Sequence, residues 1–402
     1  MILSDKKIII ASYTHIIKGK YTTIGGPGLA LRDYLQGRVK KLSCIWQPMP
    51  ISDTLSVIIE TYVNGSFQKV RRLLVPNWPF GRKKTISFIY FITKIRDIVS
   101  VYAAKLFLRD RYDIFIGVEA LNALAGVGLR RLRLVKKVVY YNLDYGIERF
   151  SNPLLNRIFH FLDKAAVSSS DVTWCLSEQM LIERERKGVK NSKENPQLVV
   201  PIGKDFKNIK RLPFEGIERK GIVYLGVLEE LQGIQLLIDS FSDILKEAPQ
   251  ASFTIIGSGN YEENLKEMVR KRQLADHIKF AGLLPDAEAE EILCKSAVGV
   301  ALYVDTPDSN TRYTEPTKPK TYLASGLPVI ITRVPKIADD IDRAKAGIAI
   351  GYKKEELVVS VIKLLNDDNF YKERRERAIA FASDFDWQNI YDKAFNLSVS
   401  LN

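Results

Sequence analysis

Short apolar strand patterns alternate with amphipathic helix patterns along nearly all of this 402-residue chain. Successive parallel strands need a crossover, and helical crossovers cover a sheet on its faces, so the alternation implies parallel sheets clad by helices. In the first half, residues 7–11, 42–46, 114–117, 138–141 and 172–176 read as buried strands, with helical patterns at 29–36 and 121–132. Residues 198–213 read as a connector: a short strand, Gly203 and a polar, lysine-rich run. The second half repeats the alternation, with strands at 221–225, 252–256, 278–280, 298–302, 329–331 and 348–350. Helical patterns lie between them at 234–246, 261–272 and 287–294, and further helices follow at 353–366 and 370–381. A chain of this length is long for one core, so two doubly wound domains are expected.

Composition bounds the partners. No run of 18 or more uncharged apolar residues is present, and the best candidate, residues 86–108, is broken by Lys94, Arg96, Asp97 and Lys105. The start of the chain leads straight into a strand, so no cleavable signal sequence is expected. Cys44, Cys175 and Cys294 have no pair spacing and read as core thiols of a reducing compartment. Residues 1–200 carry 32 Lys+Arg against 16 Asp+Glu, and the remainder 28 against 31, so the net +13 comes from the first half. The basic clusters there, such as Arg71-Arg72 and Arg130-Arg131, read either as ordinary solvated faces or as a docking surface for anionic lipid. No nucleic-acid-binding signature accompanies them, so no nucleic-acid partner is expected.

In a doubly wound sheet, ligands bind outside the C-terminal ends of the strands. Three segments of the second half fall there: Gly226-Val227, Gly257-Ser258-Gly259, and the loop that enters the helix preceding Gly326. Glycines after strands let backbone N–H groups approach a phosphate, although they also serve as plain turn residues. Lys318 and Lys320, near the start of that last helix, suit an anion or else are solvent-facing loop charge. Glu315 reads as an acceptor for sugar or ribose hydroxyls, or as a partner of Lys318. In the first half a second glycine loop, Gly25-Gly26 before Pro27, leaves room for a ligand or makes a tight turn into a helix. Glu119 and Asp144 follow successive strands, where a carboxylate can bind hydroxyls, act as a base, or simply cap or pair. His15 lies near the glycine loop.

The series Val223-Tyr-Leu-Gly226, Gly233-Ile-Gln-Leu-Leu, Phe253-Thr-Ile-Ile-Gly-Ser-Gly259, Phe280-Ala-Gly282 and Ala324-Ser-Gly-Leu-Pro-Val-Ile330 resembles the donor domain of glycosyltransferase family 4 (glycosyl transferases group 1). The resemblance implies the GT-B fold: α/β, with two Rossmann-like doubly wound domains facing across a cleft. It implies an acceptor-binding domain over 1–205, a donor-binding domain over 206–382, and a last helix over 383–402 that crosses back to the first domain. It further implies transfer of a sugar from a nucleotide-diphosphate sugar, as co-substrate with no other cofactor and no metal, to a glycan or lipid-linked acceptor, by default with retention. The cytoplasmic face of the membrane would be the place of action. Gly226, Val227, Gly257, Ser258, Gly259, Arg312, Glu315, Lys318, Lys320 and Thr321 would face the donor; His15, Gly25 and Gly26 the acceptor; Glu119 and Asp144 the chemistry. The chain departs from the family at its charged contacts. Val227 and Gln232 stand where the family has Arg and Lys, and Tyr313 and Thr321 where it has its two Glu. Arg312, Lys318 and Lys320 would then supply the positive charge. Other readings are a non-catalytic partner or glycan-binding subunit, favoured by the lost contacts, and a nucleotide-sugar 2-epimerase.

Overall fold

The computed structural model describes the chain apart from residues 1–2, 15, 18–19, 22–25, 50–55, 76–86, 147–149, 151, 307–310, 312–315 and 401–402. It divides into two units, Met1–Pro201 with Trp387–Asn402, and Ile202–Asp386.

The first unit is built on an eight-stranded sheet. Its strands are β1 (Lys7–Thr14), β4 (Lys41–Pro48), β5 (Ser56–Val63), β6 (Ser66–Leu74), β7 (Tyr112–Val118), β8 (Val135–Asn142), β9 (Val172–Cys175) and β10 (Gln197–Val199), in the order β10-β9-β8-β7-β1-β4-β5-β6. Two short strands, β2 (Ile16–Ile17) and β3 (Lys20–Tyr21), pair antiparallel apart from it. The central strand β1 buries Ile8, Ile9 and Ile10 completely, as a strand covered on both faces must. Its helices are α1 (Pro27–Gln36), α2 (Ser87–Phe107), α3 (Ala120–Arg131), α4 (Pro153–Ser169), α5 (Glu178–Arg186) and α13 (Trp387–Ser400).

The expectation of purely parallel sheets needs one correction. β5 and β6 run antiparallel and extend the sheet beyond β4. Their turn is Asn64-Gly65, both with positive φ (48° and 81°), the pairing that matches the twist of a tight hairpin. The last helix, α13, belongs to the first unit. The Tyr34 hydroxyl donates to Asp392 at 2.6 Å, Tyr391 to the Pro27 carbonyl at 2.7 Å, and Trp174 Nε1 to Ser398 at 3.0 Å.

Under α4 and α5 lies a buried ionic knot. Arg184 forks onto both oxygens of Asp163 (2.8 and 2.6 Å), and Tyr140 donates to the same carboxylate at 2.7 Å. The guanidinium also donates to Asn142 Oδ1 at 3.0 Å, at the C-terminal end of β8. The two charges neutralise each other and nearly every donor is satisfied, the condition under which a buried pair is tolerated.

The second unit carries a six-stranded, wholly parallel sheet in the order β13-β12-β11-β14-β15-β16. These are β11 (Glu218–Leu225), β12 (Ser252–Ile256), β13 (Ile278–Gly282), β14 (Ser296–Ala301), β15 (Val329–Thr332) and β16 (Gly347–Ile350). The helices are α6 (Gln235–Glu247), α7 (Glu262–Lys271), α8 (Asp286–Lys295), α9 (Thr317–Ala324), α10 (Ile337–Arg343), α11 (Lys354–Asn366) and α12 (Asp368–Ser383). Side chains alternate along each strand. Ile222, Tyr224 and Ile330 join the core under α6, α7 and α11, whereas Val223, Val329 and Ile331 join the one under α8, α9 and α10. The chain winds outward from β11 to β12 and β13, then returns to β14 on the other side. The strand order therefore reverses at β11, the place where doubly wound sheets open a ligand crevice.

Removing one member of the buried pair leaves the other charge stranded. Asp163→Ala is expected to lower the first unit's stability by about 3–5 kcal/mol, read as a shift of its urea midpoint.

Candidate functional site

At the reversal point in the second unit, three glycines bring two loops into contact. Gly226 ends β11, and Gly257 and Gly259 follow β12. Gly257 adopts φ +135°, and a Cβ there would overlap the carbonyl oxygen of Gly226. The Gly226 N–H donates to the Ile256 carbonyl at 2.9 Å and the Leu228 N–H to the Ser258 carbonyl at 3.0 Å, so the loops hold each other rigidly. Val227 is 56 % exposed at the tip. Ser258 and Gly259 are half-buried beside it.

Into this frame projects Lys318, from the first turn of α9. Its ammonium donates to the Tyr224 hydroxyl at 3.1 Å and to Oε1 of Gln232. It also lies 4.7 Å from the Tyr224 ring centroid and 5.0 Å from that of Tyr303. A Cβ at position 226 would come within 3.0 Å of the Lys318 stem, so the glycine makes room for the lysine. Gln232 stands where the resemblance places a lysine. The positive charge missing from that loop is thus supplied from α9, to the same spot. Among the described residues no carboxylate pairs with the ammonium, and burial brings its pKa down to about 7, opposed only partly by Glu229. A cation in the first turn also works against the helix dipole, and α9 has no acidic residue or side-chain cap there. An anion at this point would relieve both penalties.

Two other expectations change. Lys320 is buried; its ammonium donates to the Ile202 carbonyl at 2.6 Å and sits 4.0 Å from the Phe385 ring centroid. It ties α9 to the start and end of the unit, a structural duty in place of the expected phosphate contact. Thr321 spends its hydroxyl on the Thr317 carbonyl one turn back, at 3.2 Å. Arg312 and Glu315 lie outside the described residues. Sequence reasoning missed three tyrosines. Tyr224 donates to the Val227 carbonyl at 2.7 Å, Tyr322 accepts from the Leu225 N–H at 2.8 Å, and Tyr303 faces Lys318. Their place near the ends of β11, β14 and α9 was visible; that they converge was not.

In the first unit, Glu119 follows β7 with φ 70° and ψ 157°, a region that residues other than glycine rarely enter and that costs about 1–3 kcal/mol. Its carboxylate accepts from the Leu143 N–H at 3.3 Å and lies 3.5 Å from Asn142 Nδ2. Asn142 in turn accepts from Arg184 and donates to the Asp144 carbonyl at 3.0 Å. The buried ionic knot therefore fixes the strand end that presents both predicted carboxylates. Asp144 itself is exposed. Gly26 stands just before α1, extended, and its carbonyl accepts from Ala30 at 3.0 Å. This is helix-entry geometry. His15 and Gly25 lie outside the described residues.

Residues 205–382 match the family model described as glycosyl transferases group 1. A glycosyltransferase of Haemophilus influenzae is 22 % identical over 335 residues, covering 81 % of this chain and 84 % of that one. The alpha-monoglucosyldiacylglycerol synthase of Streptococcus pneumoniae is 28 % identical over 165 residues, 39 % of this chain and 35 % of its own. Among solved structures, Anabaena HepE in complex with UDP-glucose superposes with a TM-score of 0.66 at 14 % identity, covering 98 % of this chain and all of that one. The fold is GT-B.

Two predictions separate function from architecture. Between about 7 and the ordinary lysine value of about 10.4, the folded chain binds fewer protons at Lys318 than the unfolded chain. This group therefore adds stability to the ligand-free protein as pH rises through that window. Lys318→Met is expected to raise the ligand-free thermal midpoint at neutral pH and to abolish stabilisation by nucleoside diphosphates. A lysine that merely tied α9 to its loop would do the reverse. At position 119, Glu119→Gly keeps the backbone and sheds the strain, whereas Glu119→Ala keeps the strain. The glycine variant should be more stable than the alanine variant by about 1–3 kcal/mol in denaturant unfolding, and both should lose activity.

Proposed function

We propose that this chain, a GT-B glycosyltransferase whose second unit is a glycosyl transferases group 1 domain, moves a sugar from a nucleoside-diphosphate sugar to a glycan or lipid-linked acceptor at the cytoplasmic membrane face. One observation carries the reading: the Lys318 ammonium, without a carboxylate partner among the described residues, placed between the glycine loops at the reversal point. The anomeric C–O bond of the donor breaks and its electron pair leaves on the diphosphate. The new C–O bond forms to the acceptor oxygen, whose proton passes to a carboxylate or to the departing phosphate. Charge builds on the phosphate oxygen as that bond breaks. Lys318 would meet it there, where a prearranged cation in a partly dry site acts most strongly. Lysine acts as a point charge, so this site would hold the diphosphate without the two-pronged grip of an arginine. Glu119 and Asp144 are proposed to orient or deprotonate the acceptor hydroxyl. Retention is taken from the family.

Two observations support a lipid-linked acceptor at a membrane: the surplus of basic residues in the first unit and the likeness to the alpha-monoglucosyldiacylglycerol synthase of Streptococcus pneumoniae. The 2-epimerase reading needs histidines in the site. Of the described histidines, His277 lies 3.1 Å from the Ala251 carbonyl and His160 packs on Tyr145 and Phe159; His15 lies outside the described residues. A non-catalytic subunit has no need of a cation that no described carboxylate neutralises at the loops.

The test is a thermal-shift panel of nucleoside diphosphates and their sugars, followed by anomeric analysis of any product. Stabilisation by one nucleotide series, lost in Lys318→Met, is the expected result. A folded protein that responds to no nucleotide would overturn the proposal.

A further inference from the structure

The first unit carries an apolar stripe that its core does not use. On α2 the buried side chains, Arg96, Asp97, Ser100, Val101, Ala104 and Lys105, occupy one arc. Ile95 (49 %), Val99 (57 %) and Leu106 (80 %) are exposed on the opposite arc, at i, i+4 and i+11, in a line spanning roughly 16 Å of helix. Among the described residues no helix is long and apolar enough to cross a membrane.

What the stripe faces is indicated by the charge at the C-terminal end of α2. There Leu106 and Phe107 rim a cavity of about 620 Å³ shared with Lys41, Thr61, Lys69, Arg71, Arg109 and Asp110. Asp110 is already neutralised by Lys7 and Lys41, which hold it down to about 2. Lys69, Arg71 and Arg109 have no carboxylate partner among the described residues, and Arg71 lies over the Phe107 ring at 5.3 Å. Lys69 and Arg71 sit on β6, the sheet's edge strand, exposed along most of its length. Cations there discourage pairing with another strand. A second copy of this chain would set like charges against each other across a two-fold contact. An anionic ligand free in water would leave the stripe uncovered. Apolar side chains beside cations that are unpaired among the described residues match the interface of an anionic bilayer.

We propose that the exposed stripe of α2 together with Lys69, Arg71 and Arg109 docks this unit on an anionic lipid bilayer. The proposal rests on the reading of a membrane-linked acceptor, but its test measures binding alone. Purified full-length protein is sedimented with phosphatidylcholine vesicles, with and without phosphatidylglycerol. Binding is expected only to the anionic vesicles, weakening with added salt. Lys69→Glu with Arg71→Glu should reduce partitioning by at least tenfold, since each basic residue near such a surface contributes about fivefold. Val99→Glu with Leu106→Glu should reduce it comparably. Both pairs should keep the wild-type thermal midpoint and nucleotide response. Phe161→Glu, on a second exposed stripe (Leu154, Ile158, Phe161) of α4, serves as the control and should bind as wild type. Equal binding to neutral vesicles, no binding, or loss in Phe161→Glu alone would overturn the proposal. So would a wild-type dimer on sizing columns that the α2 pair dissociates. If vesicles bind but no nucleotide stabilises the protein, docking stands and the transferase reading falls.

Discussion

An ammonium group held between a tyrosine hydroxyl and a glutamine carbonyl, with no carboxylate beside it among the described residues, sets the terms for the second unit. Lys318 reaches that position because Gly226 has no side chain, because Gly257 lets the second loop press against the first, and because α9 starts directly opposite. Each feature can be read as packing. Together they concentrate positive charge where a doubly wound sheet opens, at the first turn of a helix whose dipole resists a cation. Without a ligand, burial and the helix dipole both disfavour that charge. A phosphate ligand would neutralise the charge and satisfy the helix end in one step.

The same logic explains how a donor site can survive the loss of its usual charged residues. A binding site needs charge at a point in space, and the chain segment that delivers it is free to vary. Here the loop after β11 presents Val227 and Gln232, and α9 delivers the ammonium to Gln232. In the first unit, rigidity comes from elsewhere. The buried pair of Arg184 and Asp163 grips Asn142, and Asn142 holds the strand end beside Glu119, whose backbone is strained. Strain of that kind persists only when neighbours enforce it.

Much of this was legible in the sequence for physical reasons. The strands of the second unit are continuous apolar runs because both their faces are covered, and glycines mark the strand ends where backbones touch. The hairpin of β5 and β6 escaped notice although Asn64-Gly65 announces it, because exposed β6 lacks a buried pattern. Lys320 looked like its neighbour Lys318, yet two positions along a short helix turn the side chain from the loops to the Ile202 carbonyl. The meeting of Lys318 with Gln232 joins residues 86 positions apart, and the Arg184–Asp163 pair hides charges that on amphipathic helices read as surface. Contacts of that range follow from the fold and leave no local trace.

The central claim is that Lys318 is kept partly deprotonated until an anion arrives. Calorimetric titration with the stabilising nucleoside diphosphate, about one pH unit above the free-state value of about 7 and in buffers of different ionisation enthalpy, tests it directly. Binding should take up close to one proton in the wild type and none in Lys318→Met. Nucleotide binding with no proton uptake would contradict the account, because the charge meeting the phosphate would then come from another residue.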